Sequence, residues 1–187
     1  NDVEKLLKGA KINVAVTSPP YASQRKYDET SGFKPIPPDE YVEWYRDVAS
    51  NIMANIAENG SYFCNIKEHC EEGQRSLYVK DLTLAHVREW GWRFVDELIW
   101  KKPGVPGGWD NRFKNDWEPI FHFCTQMAIK FNPIDVGHFS DAIRVYQKGA
   151  SYSKHGNITV EGDLTSGIAR PGNVIEVSGA DGNHPAA

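Results

Sequence analysis

Apolar residues along the chain alternate between short β-branched runs and stripes with helical spacing. The first run, residues 12–18, is mostly apolar and predicts a strand buried on both faces, as in a parallel sheet. A stripe of apolar residues spaced three and four apart then extends from Tyr41 to Ile56 and predicts an amphipathic helix. Asp39 is the expected N-cap of this helix, and Gly60 is its expected stop.

The same two patterns continue through the middle of the chain. A second helix is predicted at 75–91, closed by Gly91. Further strands are predicted at 61–67, 92–102, 117–126 and 173–177. Strands that alternate with helices predict an α/β layered sheet. The two strands on either side of residues 103–116 have no helix between them, so we expect them to form an antiparallel pair at one edge.

Composition and charge narrow the class of protein. The 187 residues carry a formal net charge of -4, with 40% hydrophobic and 25% charged positions, which is ordinary for one globular domain. Binding of nucleic acid therefore requires a local basic surface. Cys64, Cys70 and Cys124 lie at unrelated spacings and support neither a disulfide framework nor structural zinc, so no metal site is expected. No apolar run approaches the ~18 residues that cross a membrane, and a reducing cytoplasm is the expected compartment.

The first predicted strand ends in Ser18-Pro19-Pro20-Tyr21, a rigid turn that carries a hydroxyl and an aromatic ring. The two prolines fix two φ angles, remove two backbone donors and leave their carbonyls as acceptors. In open α/β sheets, ligands bind beyond the carboxyl ends of the strands. Carbonyl and hydroxyl oxygens suit an amino group, and the tyrosine offers a face for stacking. A proline-rich turn that only caps the strand is the alternative interpretation.

The segment from Thr17 to Tyr21 resembles the catalytic motif of the β-type DNA amino-methyltransferases, in which Asp, Asn or Ser precedes Pro-Pro and an aromatic residue. Further segments resemble the same family in order: ENGSYFCNIK (58–67), ELIWKKP (97–103), EPIFHFCT (118–125), RPGNVIEV (170–177) and NHPAA (183–187). The resemblance implies a partial Rossmann-like methyltransferase sheet with S-adenosylmethionine as the cofactor. It also implies a part in DNA methylation and restriction–modification.

The resemblance assigns roles to the motif residues. The exocyclic amine of a flipped base would attack the sulfonium methyl directly, while the Ser18 hydroxyl and the Pro19 carbonyl accept hydrogen bonds from the amine and Tyr21 stacks on the base. Pro20 completes the catalytic motif. The family's cofactor contacts correspond here to Thr17, Ser18, His184 and Pro185. Serine at the first motif position favours N4 of cytosine, and N6 of adenine is the alternative.

One departure from the family pattern concerns the cofactor. The Phe-x-Gly-x-Gly turn that usually holds it is absent, and in the β-type order it would follow Pro185. The sequence is therefore expected to be a fragment, with residues 1–127 as the catalytic half, 128–172 as an irregular target-recognition region and 173–187 as the start of the cofactor-binding half. A catalytically incomplete DNA-binding fragment, or half of a split enzyme, is an alternative of a different class. A methyltransferase acting on RNA or on a protein amide is a third.

Double-stranded DNA is the implied substrate, and two loops supply local positive charge. The candidate contacts are Arg25, Lys26, Lys101, Lys102, Arg112 and Lys114. In the second loop these cations are interleaved with Trp109 and Phe113, a mixture that suits phosphate contact and stacking. Ordinary solvated charge is the alternative. The resemblance leaves a homodimer open and implies a cytoplasmic enzyme of a bacterium, an archaeon or a phage.

Overall fold

A computed structural model describes most of the first 132 residues and short stretches beyond them. The described residues are 2–22, 34–102, 110–132, 135–139, 145–146, 163–164, 168–169 and 171–176. The chain divides into two units, of which one comprises Asn1–Lys130 with Asn173–Ala187 and the other comprises Phe131–Gly172.

The first unit contains the long elements of the fold. They are, in chain order, α1 (Asp2–Leu7), β1 (Ile12–Thr17), α2 (Tyr41–Asn55), β2 (Ile56–Asn65), β3 (Cys70–Glu71), β4 (Gln74–Arg75), α3 (Tyr78–Arg88), β5 (Arg93–Lys101) and β6 (Trp117–Cys124). The described strands of the second unit are β7 (His138–Phe139), β8 (Val145–Tyr146), β9 (Asp163–Leu164) and β10 (Ile168–Ala169), which pair antiparallel as β7 with β10 and β8 with β9. The chain then re-enters the first unit as β11 (Val174–Glu176).

Five strands form the main sheet in the order β1-β2-β6-β5-β11. β1 runs parallel to β2, and β5 runs parallel to β11, whereas β6 lies antiparallel between β2 and β5. The carboxyl ends of β1, β2 and β5 therefore meet the amino end of β6 at one edge of the sheet, which we call the carboxyl edge. This mixed α/β sheet confirms the partial Rossmann-like methyltransferase fold expected from the sequence.

The antiparallel pair of β5 and β6 is also confirmed, but it does not lie at an edge of the described sheet. β6 is hydrogen-bonded on both sides, and β11 continues the sheet beyond β5. Residues 121–124 of β6 are all buried, which is the pattern of a central strand. The expected edge position was inferred from the short connection alone, which fixes the pairing of two strands but not their other neighbours.

The expectation that β1 is buried on both faces is wrong for the described residues. Ala15 and Thr17 face the core, but the side chains of Val14 and Val16 are 55% and 72% exposed. The reason is that β1 has one described neighbour, β2, and that α2 and α3 supply a core on one face only.

The ends of α2 also differ from the prediction. The N-cap residue is Glu40 rather than Asp39, and its side chain makes no capping hydrogen bond. The helix ends at Asn55, and Ile56 begins β2 with its side chain buried in the sheet. Gly60 therefore lies within β2 and does not stop the helix.

Helices α2 and α3 cover this sheet with a core made largely of aromatic rings. The fully buried rings include Tyr41, Tyr45, Tyr62, Tyr78, Trp92 and Phe123. His86 of α3 is buried among them and stacks on Phe123 with ring centroids 4.5 Å apart. Several of these rings carry hydroxyls, of which two reach the end of β1 and a third reaches the turn that follows it.

Candidate active site

The Ser18–Tyr21 turn directly follows β1 at the carboxyl edge of the sheet. Ser18 is exposed, whereas Pro19, Pro20 and Tyr21 are half-buried. Within the described residues, the Ser18 side chain has no hydrogen-bond partner. The turn therefore presents a hydroxyl outward while its prolines and ring pack against the protein.

A cluster of buried hydroxyls holds the end of β1 from the core side. Thr17 Oγ1 lies 3.2 Å from the hydroxyl of Tyr45 and 3.2 Å from that of Tyr62, and these two hydroxyls are 2.6 Å apart. Burial, together with the neighbouring Cys64, raises the pKa of both phenols above the ordinary value. The cluster is therefore neutral, and it fixes the residue that precedes Ser18.

A third tyrosine holds the turn itself. The hydroxyl of Tyr41 donates to the carbonyl oxygen of Pro20 at 2.6 Å. This bond leaves the Pro19 carbonyl, the acceptor expected from the family resemblance, without a competing donor from Tyr41. Tyr41 was predicted only as an apolar position of α2, because its partner lies 21 residues away in the sequence.

The ring of Tyr21 is tied to β6 through its hydroxyl. This hydroxyl donates to Oε2 of Glu118 at 3.1 Å. Oε1 of the same carboxylate pairs with Nζ of Lys102 at 2.7 Å, and this ammonium lies 4.1 Å from the ring centroid of Trp100. Glu118 was not singled out in the sequence; the signal that could have found it is its place as the first residue of the EPIFHFCT segment.

Two side chains at the end of β2 bind the backbone of β6. The amide nitrogen of Asn65 donates to the Pro119 carbonyl at 3.0 Å, and Nζ of Lys67 donates to the Trp117 carbonyl. Burial is the main cause that lowers the pKa of Lys67, and the positive charges of Lys102 and Arg75 act in the same direction, while Glu118 opposes them. These contacts join the ends of β1, β2, β5 and β6 into one surface.

The predicted DNA contacts fall into different environments. Lys101 pairs with Glu176 at 3.0 Å on an exposed surface, and Lys102 belongs to the Glu118 pair. Lys114 is exposed, and Arg112 is half-buried. The other two candidates, Arg25 and Lys26, lie outside the described residues, as do the predicted cofactor contacts His184 and Pro185.

The described ranges hold no group of three or more side chains suited to a metal ion. His86 is fully buried and donates from Nδ1 to the Leu82 carbonyl at 2.8 Å, while His122 contacts the Ser61 hydroxyl at 2.9 Å. Both rings therefore serve the packing of the core. In the same described part of the chain, every helix is too short or too polar to cross a membrane.

Comparison with known proteins places this arrangement in a family. Residues 12–160, more than half of the chain, match the N6/N4 methyltransferase family model, described as DNA methylase. The type II methyltransferase M.MwoI of Methanothermobacter wolfeii is 30% identical over 128 residues, which cover 64% of this chain and 19% of that protein. The type II methyltransferase M.SfiI of Streptomyces fimbriatus is 30% identical over 154 residues, covering 71% and 36%. The chain thus spans well under two thirds of the length of these curated relatives.

A solved structure supports the fold. The PvuII DNA methyltransferase, described as cytosine-N4-specific, aligns with a TM-score of 0.63 and 19% identity over 99% of this chain and 58% of that chain. The relatives are type II methyltransferases, in agreement with the restriction–modification class expected from the sequence. S-adenosylmethionine is the cofactor of this family, as the sequence predicted. The chain belongs to the N6/N4 family of DNA methylases.

Proposed function

We propose that this chain provides the catalytic surface of a DNA methyltransferase that methylates the exocyclic amine of a flipped base in duplex DNA, with N4 of cytosine as the target. The observation that carries the proposal is the Ser18–Tyr21 turn, which presents an exposed hydroxyl and a half-buried ring at the carboxyl edge. Membership in the DNA methylase family supports the reaction class. Serine at the first motif position supports cytosine.

The chemistry follows from the acceptors in the turn. The lone pair of an exocyclic amine is delocalised into the base, so the amine is a poor nucleophile. The Ser18 hydroxyl and the Pro19 carbonyl accept hydrogen bonds from its two hydrogens and favour a pyramidal nitrogen with the lone pair freed. The buried hydroxyls behind β1 and the bond from Tyr41 to Pro20 hold these acceptors in place before the base arrives. Tyr21 stacks on the flipped base.

The cofactor supplies an electrophilic methyl group when it is bound. Of the residues expected to hold it, Ser18 is exposed at the strand end and fits that role. The Thr17 hydroxyl is already engaged by Tyr45 and Tyr62, so Thr17 contributes backbone atoms only. His184 and Pro185 remain predictions.

Duplex DNA lies along the carboxyl edge in this proposal. The phosphate contacts expected from the sequence are Arg25, Lys26, Lys101, Lys102, Arg112 and Lys114, and of these Lys102 is already paired with Glu118. Residues 1–127 carry the catalysis, residues 128–172 read the target sequence, and residues 173–187 begin the cofactor half. The enzyme acts in the cytoplasm of a bacterium, an archaeon or a phage-infected cell, and a homodimer remains a prediction.

The proposal is tested with the full-length gene product, labelled S-adenosylmethionine and duplex DNA of mixed sequence. After digestion, the modified nucleoside is identified by mass. We expect N4-methylcytosine, and we expect Ser18→Ala to lower its rate of formation by roughly 100-fold, because one acceptor of the reacting amine is lost. Ser50→Ala, which alters an exposed serine of α2, is the matched control and should leave the rate unchanged.

The other outcomes separate the alternatives. N6-methyladenine as the only product would exclude cytosine as the target base. DNA binding without any methylated product would favour a catalytically incomplete DNA-binding protein. Equal rates for Ser18→Ala and Ser50→Ala would remove Ser18 from the catalytic site.

A further inference from the structure

The hydroxyl at the end of the Tyr21 ring is bound to a carboxylate. The bond to Glu118 joins two residues that are 97 positions apart in the chain. The oxygen of a tyrosine hydroxyl lies on the axis of χ2, so its bond to Glu118 restricts the position of the ring through χ1, and the preference of a phenol O–H for the ring plane restricts the tilt. The face of the ring is then held in one orientation.

The carboxylate itself is held from two sides. The side chain of Glu118 is only 13% exposed, and its second oxygen pairs with Lys102, whose side chain is 30% exposed. A partly buried carboxylate without a partner is destabilising, so the ammonium is the charge that allows Glu118 to remain there. The contact of Lys102 with the face of Trp100 fixes the ammonium in turn.

The backbone around Glu118 is anchored as well. On one side the Pro119 carbonyl accepts from Asn65, and on the other the Trp117 carbonyl accepts from Lys67. In the ladder with β5, Glu118 lies opposite Trp100. Glu118 therefore stands on a rigid strand whose neighbours are tied to the end of β2.

We propose that Glu118 is a positioning residue that sets the ring of Tyr21 for stacking on the flipped base, with Lys102 as its counter-charge. The inference rests on the proposed function. It assigns Lys102 to the interior of the site rather than to a DNA phosphate. A ring that is fixed in advance loses less conformational freedom when the flipped base stacks on it. Because this stacking positions the base for methyl transfer, we expect the loss of Glu118 to lower kcat rather than to raise the KM for DNA.

A double-mutant cycle tests the inference in the full-length gene product. Tyr21→Phe removes the donor, and Glu118→Ala removes the acceptor. We expect each to lower kcat by about tenfold with little change in the KM for DNA, and we expect the double variant to lose about the same tenfold, because the bond between Tyr21 and Glu118 is lost in all three. Glu118→Gln keeps an acceptor oxygen and should recover part of the rate. Glu176→Gln, which breaks the exposed pair with Lys101 on the neighbouring strand, is the matched control.

A multiplicative loss of about 100-fold in the double variant would overturn the inference, because it would make the two residues independent. Unchanged kcat in Glu118→Ala would overturn it too.

A second measurement does not depend on activity. In protein carrying ring-labelled tyrosine, the NMR signal of Tyr21 is identified by its absence from Tyr21→Phe. We expect this signal to shift in Glu118→Ala and to stay in place in Glu176→Gln. A Tyr21 signal insensitive to Glu118→Ala contradicts the inference alone, whereas absence of methyl transfer by the unaltered protein contradicts the proposed function.

Discussion

At the scale of single residues, His86 is an ionisable side chain enclosed by aromatic rings, among them Tyr45, Trp90 and Phe123. Burial lowers its pKa to about 4. The folded protein therefore holds neutral imidazole, whereas the unfolded chain binds a proton near pH ~6.5. The stability of the fold with a neutral His86 is therefore fully present above pH ~6.5. It is lost as the pH falls from there through the folded pKa, because the unfolded chain then binds the extra proton. We expect up to about 3 kcal/mol of the free energy of unfolding to disappear across this window.

The variant His86→Phe isolates this effect, because phenylalanine keeps the ring that stacks on Phe123 but does not titrate. Its unfolding free energy, measured by denaturant titration from pH 7 to pH 4, should fall less steeply than that of the unaltered protein. The pKa of His122 is also lowered by burial, so part of the slope should remain. Identical slopes for the two proteins would show that His86 does not carry the effect.

At the scale of elements, Gly60 controls how β2 begins beside β1. A Cβ at this position would lie 2.8 Å from Cγ1 of Ile56 and 3.0 Å from the carbonyl oxygens of both Ala57 and Asn13. The two carbonyls belong to backbone and cannot move aside as a side chain can. The pairing of β1 with β2 is irregular at the same place, where the register shifts between Ile12 and Val14.

Gly60→Ala should therefore destabilise the fold by about 1–3 kcal/mol, as overpacking does, and it should loosen the strand that carries the Ser18–Tyr21 turn. Thermal and denaturant unfolding measure the loss. Asn59→Ala is the control, since Asn59 is the exposed neighbour on the same strand. Equal stabilities for the two variants would mean that the close approach at Gly60 is relieved without cost.

The same region shows what the sequence can predict at this scale. The periodic patterns predicted α2, α3 and the long strands, but α3 runs only from Tyr78 to Arg88 with Glu89 as its C-cap. Gly91, the expected end of the helix, lies beyond the cap and has a positive φ of +79°. The boundary of α2 was wrong because Ile56 fits the helical stripe and is equally suited to the buried start of a strand. The turn of the candidate site was predicted, since its residues are contiguous. Tyr41 and Glu118 were missed as parts of the site, because their contacts depend on how distant elements pack.

At the scale of the whole molecule, the formal net charge of -4 means that the DNA binding we propose depends on a few local cations. The structure distinguishes among those that are described. Lys102 is committed to a partly buried carboxylate, whereas Lys101 is in an exposed pair that contributes little and can be exchanged for a phosphate. Lys114 is exposed and has no ion pair within the described residues.

These differences predict the salt dependence of DNA binding by the full-length gene product. Each phosphate contact that is lost lowers the slope of log K against log salt by about 1. Lys114→Ala and Lys101→Ala should therefore each flatten the slope by about that amount. Lys102→Ala should leave the slope unchanged. It should lower kcat, because Glu118 loses its counter-charge. Binding constants measured at several salt concentrations give the slope for each variant. A slope that flattens in Lys102→Ala as much as in Lys114→Ala would return Lys102 to the DNA contacts, and Glu118 would then need another counter-charge when DNA is bound.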